Sequence, residues 1–124
     1  MLNNLEDFKR ARDALARGFV KNTLWGVVVS GQELPSWSEL TAMPEPKVRF
    51  CIHGALMFAS KQRDFSYSHP WIKALDAQLP REYKADGAFP IYDLVAYNNH
   101  PDTTQTDVVA LFDRVIAEQE NVDG

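Results

Sequence analysis

Cys51 is the residue of this chain whose type and position most suggest covalent chemistry. It is the single cysteine among 124 residues, and it stands at the start of an apolar stretch with helical character. Free N–H groups and the dipole at a helix N-terminus lower the pKa of a thiol and make it nucleophilic. The general base would come from His100 or His69, because His53, two residues along the same helix, points to nearly the opposite side. Cys51 with His100 would then serve a thiol-dependent hydrolase or transferase.

A structural role explains Cys51 more simply. Free cysteine is among the most buried residue types and packs as a small hydrophobe. Because Cys51 belongs to an apolar helical segment, we favour packing over catalysis. A single cysteine forms no internal disulfide, so no oxidising compartment is implied.

The polar loop before the last predicted helix is the second candidate site. Loops carry binding and catalytic residues more often than cores do. Four polar side chains of this loop could converge on a ligand: Asn98, Asn99, His100 and Asp102. A small-ligand pocket between this loop and the central helix is a further alternative. The interpretation that we favour is that the asparagines end one element, while Asp102 and Thr104 begin the next.

Aromatic residues in the predicted loops are the third candidate. They are Trp25, Trp37, Phe65, Tyr67 and Tyr83. Rigid rings in loops are enriched at binding surfaces, where one ring fills a pocket of the partner. In a small protein such rings equally cover the core beneath long loops. The sequence favours neither interpretation, and we predict a binding surface that contains Trp25, Trp37, Phe65, Tyr67, Asn98 and Asn99.

Metal, phosphate and nucleic-acid sites lack the residue patterns that they require. The histidines and the cysteine are widely spaced, with no His-x-x-x-His or Cys-x-x-Cys pair. No glycine-rich loop is present to hold phosphate. A net charge of −4 argues against a nucleic-acid binder, which normally has a basic surplus. We therefore expect no metal, no cofactor and no nucleic-acid partner.

The chain also lacks the signals of membrane or secreted proteins. No apolar stretch approaches the roughly 20 residues that a membrane-spanning helix needs. Residues 1 to 7 lack the basic start and the apolar run of a secretion signal. We expect a cytoplasmic protein without membrane association.

Helical periodicity organises the first two thirds of the chain. Residues 5 to 17 form one helix whose apolar stripe is Leu5, Phe8, Ala11, Leu15 and Phe19. Gly18 would end this helix in a left-handed turn. A second helix, apolar on every face and therefore central, is predicted over residues 50 to 62. A third begins after Ser68 as its N-cap, with Pro70 in its first turn.

Two more helices are predicted in the C-terminal part. Pro90 starts a short helix through Tyr97, for which a strand is the alternative because Ile, Tyr and Val are good strand formers. Thr104 caps a last helix from Gln105 to about Glu118, with Asp107 in the capping-box position usually held by Glu.

The segment between the first two helices carries the β signal. Residues 24 to 29 are β-branched and aromatic, and a turn and residues 32 to 34 follow, so we predict a small hairpin. One helical turn is predicted over residues 36 to 40. The fold class is therefore mainly α, a compact bundle of four to five helices with a small β-hairpin insertion, with α+β as the alternative. Residues 1–124 form a single domain at this length, with a tail that frays from about residue 121.

Several short motifs carry a family resemblance. They are the aromatic Phe19 after the first helix, the run Cys51-Ile52-His53-Gly54-Ala55-Leu56, the loop Tyr97-Asn98-Asn99, and the Thr104 cap with the acid Asp107 before the final helix. With these motifs the chain resembles an uncharacterised family of small proteins from bacteria and their phages, a domain of unknown function. It departs from the family at Asn99, where Asp is usual, and at Phe19, Arg49 and Phe50, where Trp is common. The resemblance implies a fold but no activity, and Asn99 in place of an acid counts against an enzyme.

A small, cytoplasmic, non-enzymatic binding protein is the function that we expect. It would occupy a protein partner through residues 20 to 48 and 63 to 69. In a phage, an acidic protein of this size would suit inhibition or retuning of a host or defence component. The alternative is the hydrolase or transferase that depends on Cys51.

Overall fold

A mainly α fold is confirmed by the computed structural model. It describes residues 4–21, 25–27, 36–42, 48–62, 65–66, 69–80, 82 and 90–123. These residues form the helices α1 (Leu5–Arg17), α2 (Trp37–Ala42), α3 (Ile52–Ser60), α4 (Pro70–Ala77), α5 (Pro90–Asn99) and α6 (Gln105–Asp123). Two short strands, β1 (Trp25–Val27) and β2 (Val48–Phe50), pair antiparallel.

Helix α1 has the predicted bounds, but it ends differently from the prediction. Gly18 is extended, with φ −173° and ψ 129°, so the predicted left-handed turn is wrong. The reason for glycine is close approach of β2. A Cβ at position 18 would lie 3.0 Å from Cγ of Arg49 and 3.3 Å from the carbonyl oxygen of Val48. The chain therefore leaves α1 directly alongside β2.

Strand β2 explains why the central helix begins later than predicted. The Phe50 N–H donates to the Gly18 carbonyl at 3.0 Å, and the Phe50 carbonyl accepts from the Val20 N–H at 3.0 Å. This pairing holds Phe50 in extended conformation, so α3 starts at Ile52 and not at Phe50. The observed partner of β1 is β2, and residues 32 to 34, which were predicted to pair with residues 24 to 29, lie outside the described residues.

Helix α3 is the central helix, as its composition predicted. Its buried residues cover every face: Ile52, Gly54, Ala55, Leu56, Met57, Phe58 and Ala59. It packs against α1 and α5, and it contacts β2. It ends after Ser60 at Lys61, whose φ of 59° places it in the left-handed region. Burial on all sides is the usual situation of a helix without a polar face.

The last three helices follow the sequence signals closely. Helix α4 begins at Pro70, but its N-cap is His69 and not Ser68, which lies outside the described residues. Residues 90–99 are helical, so the helix prediction is confirmed over the strand alternative. Helix α6 continues to Asp123, beyond the predicted end.

One hydrophobic cluster joins these helices. The Phe8 ring of α1 stacks on Phe112 of α6 at 4.9 Å between centroids and meets the edge of Trp71 of α4 at 5.6 Å. Helix α6 contributes a buried stripe to this cluster: Val108, Leu111, Phe112, Val115 and Ile116. Helix α1 packs on α3 and α6, while α4 packs on α5 and α6. Within the described ranges, none of the helices is both long and apolar enough to span a bilayer.

Candidate functional site

Cys51 lies between β2 and α3, and its thiol caps the central helix. The residue is extended, and Sγ accepts a hydrogen bond from the Gly54 N–H at 3.2 Å. The side chain is buried. Burial raises the pKa of the Cys51 thiol, and hydrogen bonds from the backbone N–H groups of Gly54 and His53 oppose this effect only in part. A nucleophilic thiol needs a lowered pKa and access to solvent, so these are the features of a structural cysteine.

The two candidate bases for this thiol are engaged by their own backbones. Nδ1 of His100 accepts a hydrogen bond from the Asp102 N–H at 3.1 Å. Nδ1 of His69 accepts from the Trp71 N–H, also at 3.1 Å. Both residues precede a proline, and each ring closes the short turn that the proline starts. The structure thus assigns both histidines a local structural bond.

Asn98 connects three parts of the chain from a buried position. Its Oδ1 accepts from the Ile52 N–H at 2.9 Å, and its Nδ2 donates to Oδ1 of Asn99 at 3.0 Å and to the Val20 carbonyl at 3.4 Å. Only 4% of Asn98 is exposed. The first N–H groups of a helix have no partner within that helix. Asn98 of α5 therefore supplies an acceptor to the N-terminus of α3, beside the acceptor that Cys51 supplies.

Lys21 secures the loop that follows Asn99. Its Nζ donates to the carbonyl oxygens of His100 and Pro101, just beyond the C-terminus of α5. A cation at this end of a helix is favoured by the helix dipole. No local motif identifies Lys21, because its partners lie 79 and 80 residues along the chain.

The end of the polar loop forms the predicted capping box. The Asp107 N–H donates to Oγ1 of Thr104 at 3.1 Å, and the Thr104 N–H donates to Oδ2 of Asp107 at 2.9 Å. Reciprocal bonds of this kind satisfy two backbone donors at a helix start. Polar side chains in and beside the loop therefore bond to the backbone at the starts of two helices: Asn98 of α5 at the start of α3, and Thr104 and Asp107 at the start of α6.

The predicted aromatic residues occupy different environments. Phe65 is buried, with 4% of its surface exposed, and Trp37 is half-buried against the core from α2. Trp25 belongs to β1, although its side chain lies outside the described residues. Tyr67 and Tyr83 also lie outside them. Among the predicted binding aromatics whose side chains are described, Trp37 is the one that retains exposed surface.

Phe65 belongs to a cluster of four rings that the sequence reasoning missed. This aromatic–histidine cluster consists of His53, Phe65, His69 and Trp71. The Phe65 ring lies 4.3 Å from the His69 ring, 6.0 Å from the His53 ring and 5.7 Å from the Trp71 ring, between centroids. Burial lowers the pKa of both His53 and His69. The local signal for it in the sequence was the dipeptide His69-Pro70.

The acidic and metal-binding side chains of the described ranges do not form a metal centre. There, no three of the His, Cys, Asp and Glu residues come together as a group that could hold an ion. An open groove of about 340 Å³ lies between the end of α1 and the start of α6. It is lined by Ala16, Gln105, Thr106, Val109, Ala110 and Asp113. This groove includes neither α3 nor the loop after Tyr97, so it is not the predicted small-ligand pocket.

Comparisons with known proteins agree with the family resemblance in its general form. No curated protein and no solved structure matches this chain. A family model described as a family of unknown function, DUF6197, matches residues 3–118. Because that match covers almost the whole chain, the protein belongs to this family of unknown function.

Proposed function

We propose that this chain is a non-enzymatic binding protein that occupies a protein partner through residues 20 to 48 and 63 to 69. The observation that supports the proposal most is the state of the Cys51 thiol. It is buried, its pKa is raised by that burial, and its Sγ accepts a hydrogen bond from the Gly54 N–H. A thiol in this state is poorly suited to the nucleophilic chemistry of the alternative hydrolase or transferase.

The polar loop supports the same proposal. Asn98 serves the start of α3, and Thr104 and Asp107 serve the start of α6. Side chains that already satisfy buried or terminal backbone groups are costly to redirect toward a substrate. A surface that binds another macromolecule does not need a set of polar side chains that converge on one point.

Trp37 is the residue on which the proposed interface centres. It lies on α2, whose first turn is held by a capping box in which the Glu39 N–H donates to Oγ of Ser36 at 3.2 Å. Its side chain packs partly on the core and remains partly exposed. A rigid aromatic side chain with one face supported is the type of residue that dominates binding energy at interfaces. The biological setting that we propose is a bacterium or a phage, with a host or defence protein as the partner.

The test combines partner capture with matched substitutions. A partner would be isolated with the tagged protein, purified, and titrated against the variant Trp37→Ala with Tyr67→Ala by calorimetry. We expect binding to weaken by about 2 kcal/mol or more, the loss typical of an aromatic hot spot. The control is Val95→Ala on α5, an exposed residue outside the proposed segments, which should bind like the wild type. Unchanged affinity in a double variant that retains the wild-type circular dichroism spectrum would refute this interface.

A further inference from the structure

We propose that the N-terminus of α4 is a pH-sensitive switch, in which a proton on Nδ1 of His69 uncaps the helix and loosens the aromatic–histidine cluster. The Trp71 N–H donates a hydrogen bond of 3.1 Å to Nδ1 of His69. A backbone N–H is a donor, so Nδ1 must be an unprotonated acceptor. Protonation replaces this acceptor with a second donor and ends the bond. It also leaves the Trp71 N–H without the partner that the cap supplied.

The position of His69 makes a positive charge there unfavourable. His69 is the N-cap of α4, and its carbonyl accepts from the N–H groups of Ile72 and Lys73 at 2.9 and 3.2 Å. The N-terminus of a helix carries partial positive charge and favours anions. The positive charge of a protonated His69 is therefore repelled by the partial positive charge at the N-terminus of α4, the helix that neutral His69 caps.

The cluster around His69 provides the coupling to α3. The Phe65 ring lies tilted against His69 at 4.3 Å between centroids and meets His53 of α3 edge-on at 6.0 Å. His53 is the titratable group that α3 contributes to the cluster. Helix α4 adds the exposed Lys73, the segment before α4 adds the neutral Phe65 and Ser66, and α1 contributes the Phe8 ring against Trp71. Both histidines thus lie beside one buried phenylalanine. A positive charge on either imidazole is therefore placed next to an apolar ring.

The pH window follows from the direction of the pKa changes. Burial lowers the pKa of His69 and of His53 from the ordinary value of 6.5. The unfolded or opened state binds protons more readily than the closed state, so the closed state loses stability as pH falls. The stabilisation is complete above about pH 6.5 and decreases as pH falls from that value toward the folded-state pKa values. Near neutral pH the switch is closed.

His100 offers a natural control within the same chain. It also precedes a proline, and its Nδ1 accepts from the N–H two residues on, Asp102, at the same distance of 3.1 Å. However, 38% of the His100 side chain is exposed, and Oδ2 of Asp102 lies 4.0 Å from Nδ1. The local bond is equivalent, but a carboxylate lies beside His100, whereas the rings of Phe65 and Trp71 lie beside His69.

The experiment is an NMR titration of the full chain from pH 8 to pH 5. Ring resonances report protonation of His53, His69 and His100 separately, and hydrogen exchange reports the Trp71 N–H. After correction for the intrinsic pH dependence of exchange, we expect the Trp71 exchange rate to rise about fivefold as His69 protonates, the size of a lost N-cap. An N–H equally protected with His69 protonated and unprotonated would overturn the proposal.

Two variants separate the switch from general acid sensitivity. His69→Asn keeps a cap acceptor that does not titrate in this range, so it should remove the pH response of the Trp71 N–H. His100→Asn removes a histidine outside the cluster and should leave that response unchanged. A response that survives in His69→Asn, or disappears in His100→Asn, contradicts the inference. If His69→Asn does not fold, the coincidence of the His69 and Trp71 midpoints in the wild type decides alone.

Discussion

At the scale of single residues, burial decides what Cys51 does. A helix N-terminus tends to stabilise a thiolate, while removal from water penalises it. In this protein burial is the larger of the two effects, and it raises the pKa of the thiol. Cys51 does lie at the N-terminus of α3, where the helix favours a lower thiol pKa. Burial at that position raises the pKa of the thiol instead. The same residue serves α3 through its hydrogen bond with Gly54.

Alkylation of Cys51 tests this account directly. Because the neutral thiol predominates and is shielded, iodoacetamide should label the folded protein slowly between pH 6 and pH 8, as followed by mass spectrometry. The same protein in concentrated urea is the control and should label readily. Fast labelling of the folded protein at neutral pH would restore the catalytic alternative.

The raised pKa of Cys51 also links folding to pH. Since the pKa of the thiol in the folded state is raised from 9.0, its contribution to the free energy of unfolding is present below that value and is lost as pH rises above it.

At the scale of elements, the helix ends are defined by side chains that the sequence displays. Ser36 and Glu39 at the start of α2, and Thr104 and Asp107 at the start of α6, follow the capping-box spacing. Such local bonds are predictable because donor and acceptor are three residues apart. The end of α1 was less predictable, because position 18 is approached closely by the distant residues Val48 and Arg49. Glycine at the end of a helix is therefore explained either by a left-handed turn or by the close approach of another segment.

Thr104→Ala should destabilise the protein measurably. Removal of the Thr104 hydroxyl leaves the Asp107 N–H without its acceptor, at a cost of about 1 kcal/mol in the free energy of unfolding. Urea denaturation measures the loss. The matched control is Thr106→Ala, an exposed position on the same helix that should change stability little. Equal stability of the two variants would show that the capping box contributes nothing.

At the scale of the whole molecule, a few polar bonds between residues distant in the sequence help to fix how the elements meet. Asn98 joins α5 to the start of α3 and to Val20, while Lys21 holds the loop after α5. Gln105 of α6 donates to the carbonyl oxygens of Leu15 and Ala16 at 2.8 and 2.9 Å, which closes the end of α1. Hydrophobic contact alone permits helices to slide, whereas the bond between Asn98 and Ile52 favours one arrangement because an unmade buried bond is costly.

Asn98→Ala should therefore cost more than a surface asparagine would. The change leaves the Ile52 N–H without the Asn98 acceptor in a buried site, and we expect a loss of about 1 to 3 kcal/mol in the free energy of unfolding. Thermal and urea denaturation measure it, and hydrogen exchange at Ile52 should increase. Asn121→Ala, exposed on α6, is the control and should be neutral. If Asn98→Ala leaves the free energy of unfolding unchanged, Asn98 does not stabilise the contact between α5 and the start of α3.

Local order in the sequence determined the helices and which of their faces are buried. The stripe from Phe8 to Leu15, the all-round apolar α3 and the Thr104 cap depend on neighbours within one or two turns, and these predictions are confirmed. The tertiary structure alone decided the pairing of Phe50 with the segment after α1, the bond of Asn98 to Ile52, and the grouping of His53 and His69 around Phe65. Each of these joins residues from different elements, and burial, which sets the chemistry of Cys51 and the two histidines, exists only after those elements pack.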